Sequence, residues 1–374
     1  MRRAAVLCSL LSLCTGLAGA AEATDNLPAL SGADARVALE QIRPQAERGN
    51  ADAQYALGNA YASGNGVRQS HGEAVSWFLK AAAQGHTDAQ ISLGKAYQFG
   101  EGVAQSDAEA FRWFLKAAEA GNADAQLIVG RAYAIGFSVK RSEVEAAAWT
   151  RKAAESGLGT AQVNYATMLA QGRGVKRDLE ESSRWMHLAA DQDNVSALHM
   201  LGLMHTQGYG EKQDLIAAAN YFRRAADLGH VPSMNALGLA YCHGRGVPQD
   251  YAQAATLFRK AADTGSAEGQ RNLGYLYYTG QGVIQNPQEA LFWTRKAADQ
   301  GDAEALDGLG HFYETGLGID PDRVEALKWY ALAALKGRKR AMPSRDRLVA
   351  QLKPDEISEA QRRAQVWLDT HQAR

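Results

Sequence analysis

Proline is scarce in this chain, at 8 of 374 residues, and cysteine scarcer, at 3. Few prolines leave most of the backbone free to form helix. Cys8 and Cys14 fall in a mostly apolar run from Ala4 to Leu17, behind Arg2 and Arg3 and ahead of Ala18-Gly19-Ala20. That order is expected of a secretory signal over residues 1–20, with small residues at the cleavage site. Cleavage would leave Cys242 alone, so no intramolecular disulfide can form and stability must come from packing. An excess of one charge is also missing, because Lys plus Arg (40) nearly equals Asp plus Glu (41). Removing the signal with Arg2 and Arg3 gives 38 against 41, a charge of −3 and too weak a field to gather nucleic acid. No later stretch is apolar for the roughly 20 residues a membrane span needs, so no insertion is expected after signal cleavage. A periplasmic or secreted monomer is the expectation.

Motifs of chemistry are missing as well. The nine histidines are dispersed, and no zinc-protease, paired-cysteine, nucleophile-elbow or phosphate-loop pattern occurs. The best metal candidate is the run from His199 to His205, rich in imidazole and thioether. On a helix those two histidines point about 120° apart and do not share a ligand face. The expectation is therefore no catalytic residue, no metal and no cofactor.

What is abundant is glycine, 37 residues, and it is periodic. Gly58, Gly94, Gly130, Ala166, Gly202, Gly238, Gly274 and Gly310 stand 36 residues apart without insertion or deletion. Trp77, Trp113, Trp149, Trp185, Tyr221, Leu257, Trp293 and Trp329 keep the same step, as do paired alanines from Ala81-Ala82 to Ala333-Ala334. Such a period is the mark of a stacked repeat array. Within each unit, Ala53, Leu57, Ala60 and Tyr61 predict one helical stripe, helix A. Ala74, Trp77, Phe78, Ala81 and Ala82 predict a second, helix B. Glycines such as Gly64 and Gly85 end the two helices. The tryptophan series is expected to fill the space between neighbouring helix pairs while glycine and alanine let backbones approach. Repeat four, with Ala166 and Leu169, and repeat five, with Asp193, His205 and Glu211, depart from the pattern and are the expected seat of local irregularity.

The pattern Gly85-x-x-x-Ala89-Gln90-x-x-Leu93-Gly94-x-x-Tyr97-x-x-Gly100-x-Gly102-Val103, then Ala110-x-x-Trp113-Phe114-x-x-Ala117-Ala118, resembles the Sel1-like repeat, a relative of the tetratricopeptide repeat. The resemblance covers residues 49–336 as eight units, 49–84, 85–120, 121–156, 157–192, 193–228, 229–264, 265–300 and 301–336. It implies an all-α, right-handed superhelical solenoid of helix-turn-helix hairpins that binds a protein or peptide in its concave groove. Capping is expected from residues 21–48, with Pro44 kinking a lone helix B, and from residues 337–374, with helices at 344–352 and 355–371 separated by Pro354. Ile357, Ala360, Ala364, Trp367 and Leu368 form the stripe that would close the stack. The basic run 336–340 is read as a solvated turn.

By that resemblance helix A lines the groove, at the positions of Tyr55, Asn59, Ala62 and Ser63 in each unit. Down the second of these the residue changes from Asn59, Lys95 and Arg131 to Leu203, Leu239, Tyr275 and His311. Aromatic and arginine residues among leucines suit an interface. The expected partner-binding set is Leu203, Leu239, Arg271, Tyr275, Tyr278 and His311, and the competing expectation is that these pack onto the next helix. The function implied is an exported scaffold for envelope assembly, signalling or host interaction. The alternatives are a hydrolase like the β-lactamases described for cysteine-rich relatives, whose regular disulfides are missing here, and a soft-metal-binding periplasmic protein.

Overall fold

The computed structural model describes residues 32–371, so the expected signal lies outside the described residues. Those residues form nineteen helices and no strand. They divide into two compact units, the chain passing from one to the other between Ser142 and Glu143. The first holds α1 (Gly32–Glu47), α2 (Ala51–Ser63), α3 (His71–Ala83), α4 (Thr87–Phe99), α5 (Asp107–Glu119) and α6 (Ala123–Ile135). The second begins with α7 (Glu143–Glu155), α8 (Gly159–Gln171), α9 (Leu179–Ala190), α10 (Val195–Gln207), α11 (Leu215–Asp227) and α12 (Val231–His243). It continues through α13 (Tyr251–Asp263), α14 (Ala267–Thr279), α15 (Pro287–Ala298), α16 (Ala303–Thr315), α17 (Arg323–Leu335), α18 (Ala341–Gln351) and α19 (Pro354–His371). Within each unit every helix packs on the one before and the one after it, the pattern of an α/α solenoid, until the last, where α18 and α19 both pack on α17. The third A helix and its B helix fall in different units.

Short side chains start the helices. Asn50, Ser70, Ser106 and Asn122 each accept a backbone N–H three residues on, and Asp178, Asp214, Asp250, Asp302 and Asp322 do the same in the second unit. Glycine in the left-handed conformation ends the A helices, as at Gly64 (φ 76°) and Gly208 (φ 68°). The second glycine of the turn has a further reason to be there. At Gly174 a Cβ would lie 1.8 Å from the carbonyl oxygen of Glu143, so this turn lies directly on the first turn of the preceding B helix.

Tryptophan packs between neighbouring pairs, as Trp77 and Trp113 do against the core toward the preceding hairpin, but it is not the knob between the two helices of one hairpin. The buried ring belongs to the next residue, Phe78, Phe114, Phe222 or Phe258, each set against the glycine of its own hairpin. A Cβ on Gly58 would approach Phe78 Cε1 to 2.5 Å. Trp77, Trp113 and Trp149 are only half-buried, with Lys80, Lys116 and Lys152 Nζ 3.7, 4.1 and 3.9 Å from their ring centres. Tryptophan is too large to enter a site that glycine has cut for one phenyl ring. In this series the indole is buried at Trp293 and Trp329, each 5% exposed.

Repeats four and five keep regular backbones. Ala166 is matched by Met186 in place of phenylalanine, a flexible side chain that accommodates the extra methyl. Asp193 adopts the left-handed conformation of the glycine it replaces (φ 55°), and Arg224 holds it at 2.8 Å. Hydrogen bonds of buried glutamines join successive hairpins. Gln54, Gln90, Gln126, Gln162 and Gln270 each donate to the carbonyl of an alanine eight residues earlier, at the end of the preceding B helix.

Helix α1 runs through Pro44 without a break, because a proline this close to the end removes only one bond. Pro354 is the first residue of α19 rather than part of a gap, a position where its missing N–H costs nothing. Ala360 and Trp367 are buried on α17, with Ile357, Ala364 and Leu368 packed beside them. Arg363 adds ion pairs to Asp322 (3.3 Å) and Glu325 (3.0 Å). The basic run 336–340 is a turn, and in it Arg338 is paired with Glu304 at 2.5 Å.

Candidate partner-binding face

The expected binding residues all lie in the second unit, on α10, α12, α14 and α16. Leu203 and Leu239 are half-buried in different clusters, Leu203 against Ala218, Phe222 and Leu237, and Leu239 against Cys242, Phe258 and Leu273. Each keeps part of its side chain in solvent. Tyr275, the next residue of the series, is 59% exposed. The helix beneath it is anchored by buried Leu273, Gly274 and Leu276, so the ring stands out from a rigid support.

Tyr278 and His311 are brought together. The Tyr278 hydroxyl and His311 Nε2 are 3.2 Å apart, and the Tyr278 ring meets Phe312 edge-on at 5.9 Å between centres. Arg271 is committed elsewhere. Its guanidinium reaches Asp302 at 2.9 Å, Glu304 at 3.3 Å and Glu268 at 3.9 Å. Glu304 is shared with Arg338, which also reaches Asp307 at 3.5 Å. Arginine and carboxylate therefore alternate across two consecutive hairpins and the turn that follows them, and Arg271 acts as a strut. Burial raises the Asp307 carboxyl, against the pull of Arg338. The network was hidden in the sequence because its acids sit 31 and 33 residues downstream.

Another pair of exposed apolar side chains escaped the sequence reading. Phe99 (66% exposed) and Ile135 (74%) are equivalent residues at the ends of α4 and α6, in the first unit. One turn earlier stand Lys95 and Arg131, both exposed. Both stand at the position of Ser63, one of the four groove positions, so the 36-residue spacing carries their signal.

Among the described residues no acid, base and nucleophile converge around Leu239, Tyr275, Tyr278 and His311. Cys242 is buried, and burial pushes its thiol up, away from the reactive thiolate. His199 is buried too. Desolvation, helped by neighbouring His230, lowers its pKa from 6.5 to about 4, and its Nδ1 lies 2.9 Å from Ser233 Oγ. Burial keeps that imidazole neutral, and its ring packs against Phe222 and His230 in the core. No helix among the described residues is long and apolar enough to cross a membrane.

Comparison with known proteins matches the family described as "Sel1 repeat" at residues 51–86, 87–122, 123–158, 159–194, 195–230, 231–266, 267–302 and 303–337. A Sel1 repeat protein from Oxalobacter formigenes is 35% identical, with a TM-score of 0.63 over 76% of this chain and 82% of its own. A protective antigen present in uropathogenic Escherichia coli strains, displaying the SLR fold, is 27% identical. Its TM-score is 0.58, over 89% of this chain and 95% of its own. No curated protein matches this chain.

Proposed function

Because the chain belongs to the Sel1 repeat family, whose members work through protein–protein contacts, we propose that it is an exported, non-catalytic scaffold that seats a protein or peptide on its A-helix face. Tyr275 carries the reading. A large aromatic, 59% exposed, is free to meet a partner, and tyrosine suits an anchor because one ring supplies wide contact for two torsions. Leu203 and Leu239 extend the apolar path, and Tyr278 with His311 supplies a polar edge beside it. Arg271 holds consecutive hairpins in register so that these side chains keep their spacing. The compartment proposed is periplasmic or extracellular. The signal-like first 20 residues support it, and the similar antigen is in keeping with it.

Binding would proceed by shape and insertion. The partner's backbone lies along the face, and Tyr275 enters a pocket on the partner. Pull-down from the native envelope, with wild type and Tyr275→Ala side by side, tests this. The expected result is loss of the captured partner with an unchanged melting curve. Loss of both together would place Tyr275 in the fold's own packing and end the reading. Retention of the partner by Tyr275→Ala and its loss from Phe99→Ala would move the site to the first unit.

A further inference from the structure

The eight hairpins are copies of one plan, so each column of equivalent residues is an internal control for the others. Four columns change character at one place. The position of Ser183 otherwise holds Val75, Phe111, Ala147, Ala219, Ala255, Leu291 and Leu327, all apolar. The position of Glu211 otherwise holds valine or isoleucine, from Val67 to Ile319. His205 stands where six units have tyrosine and one has leucine. His187 stands where its neighbours in the series, Arg223, Arg259 and Arg295, reach the tyrosine of the following hairpin. An arginine–tyrosine clasp over apolar residues has been exchanged for serine, two imidazoles and a carboxylate.

The four lie together, on α9, α10 and the turn before α11. His187 Nε2 is 3.0 Å from Glu211 Oε1, and Ser183 Oγ donates to the same carboxylate oxygen. Donor atoms of His187, His205 and Glu211 lie within 4.8 Å of one another. The surroundings also set the tautomers. Lys212 O, 3.3 Å from His205 Nδ1, can only accept, so Nδ1 carries the proton and Nε2 the lone pair. Tyr221, whose ring stacks on His205 with centres 5.5 Å apart, presents its hydroxyl 3.3 Å from His187 Nδ1. Burial works to raise the Glu211 carboxyl, but the Ser183 and His187 hydrogen bonds outweigh it and hold it below the ordinary carboxylate range. Glu211 is thus an anion in a place where every other hairpin has a hydrocarbon.

We propose that His187, His205 and Glu211 form a binding site for a divalent ion of the zinc class. Two imidazole nitrogens and one carboxylate oxygen are a ligand set that zinc accepts, at about 2.0–2.2 Å per bond. Tetrahedral donors are then about 3.3 Å apart, so the cluster must close by up to about 1.5 Å, a movement within reach of side-chain rotation. The ion replaces the proton between His187 Nε2 and Glu211. A neutral His187 moves its proton to Nδ1, where the Tyr221 oxygen accepts it, and an imidazolium releases one proton to solvent. Ser183 and Lys212 orient the ligands. Three protein donors leave a fourth position open to water or to a donor from a bound partner.

The test is equilibrium dialysis of the full, untagged chain against zinc chloride alone, with bound metal counted per chain. One equivalent is expected, and cobalt(II) in its place should give visible d–d bands of nitrogen–oxygen coordination. The double variant His205→Tyr/Glu211→Val installs the residues its sister hairpins carry, so it should fold with the same helix content and bind zinc at least tenfold more weakly. His230→Asn, which alters a histidine outside the cluster, should keep the full equivalent. Retention of zinc by the double variant equal to wild type, or no stoichiometric zinc in wild type, overturns the assignment.

Discussion

Replacing Gly94 by alanine should destabilise the protein although it improves the helix. Alanine favours an exposed helix interior over glycine by about 1 kcal/mol. In the structure, however, the new Cβ would stand 2.4, 2.6 and 2.8 Å from Cε1, Cδ1 and Cζ of Phe114, where unstrained carbon contacts lie near 3.5–4.0 Å. Phe114 is 3% exposed and its neighbours Leu93 and Ala117 are fully buried, so the ring has nowhere to retreat. Overpacking of this kind costs about 1–3 kcal/mol, and after the helix gain a net loss of up to about 2 kcal/mol is expected. Repeat four has already solved the problem, since Ala166 faces Met186 there. Phe114→Met should therefore rescue Gly94→Ala, with a coupling of about 1–2 kcal/mol in the double-mutant cycle. The assay is denaturant unfolding of all four proteins, with hydrogen exchange in α4 and α5 to localise the change, because a repeat array need not melt as one unit. A Gly94→Ala protein more stable than wild type, or additivity within about 0.5 kcal/mol, would refute the reasoning.

Acid should weaken the second unit through His199. The folded chain holds this imidazole neutral down to about pH 4, whereas the unfolded chain protonates it near 6.5. Its stability is present above 6.5 and is lost as pH falls toward 4, by up to about 3 kcal/mol, a loss that urea midpoints should show and His199→Leu should remove. Gln270→Ala should cost about 1–3 kcal/mol in thermal unfolding, because it empties a site that is 4% exposed and removes the bonds to the Ala262 carbonyl and from the Gln300 amide, which donates to Gln270 Oε1 at 2.8 Å. Gln270→Leu, the residue at Leu198 and Leu306, should lose only the bonds and keep the packing. Trp329→Ala should cost about 3–5 kcal/mol, and half-buried Trp149→Ala about 1–2 kcal/mol, a contrast readable in the same melts.

The hairpins were legible because a 36-residue period with glycine at fixed places leaves the chain one way to stack. Which aromatic enters the core was not, since Trp77 and Phe78 are adjacent on one helix and only the cleft beside Gly58 selects between them. Asp193 was read as a defect, but an acidic residue tolerates the left-handed turn better than most side chains, and the hairpin stayed regular. On the proposed binding face, periodicity identified the row containing Tyr275, every member of which keeps some exposure because its side faces away from the buried stripe. It could not reveal that Arg271 is spent on Asp302, since that pairing depends on how one hairpin rotates over the next. The metal cluster failed for a related reason. His205 was compared with His199 on its own helix, when its neighbours are His187 and Glu211, reached across a turn and a helix boundary.

The closing helices also constrain how such an array can change length over generations. Trp367 of α19 meets Trp329 of α17 with ring centres 6.1 Å apart, and Arg363 ties the same helix to Asp322 and Glu325. A duplicated hairpin spliced in among its sisters would find matching joints on both sides, whereas one spliced in after Leu335 would part those tryptophans. Lineages of this protein should therefore gain and lose hairpins from the interior while their final segment travels unchanged.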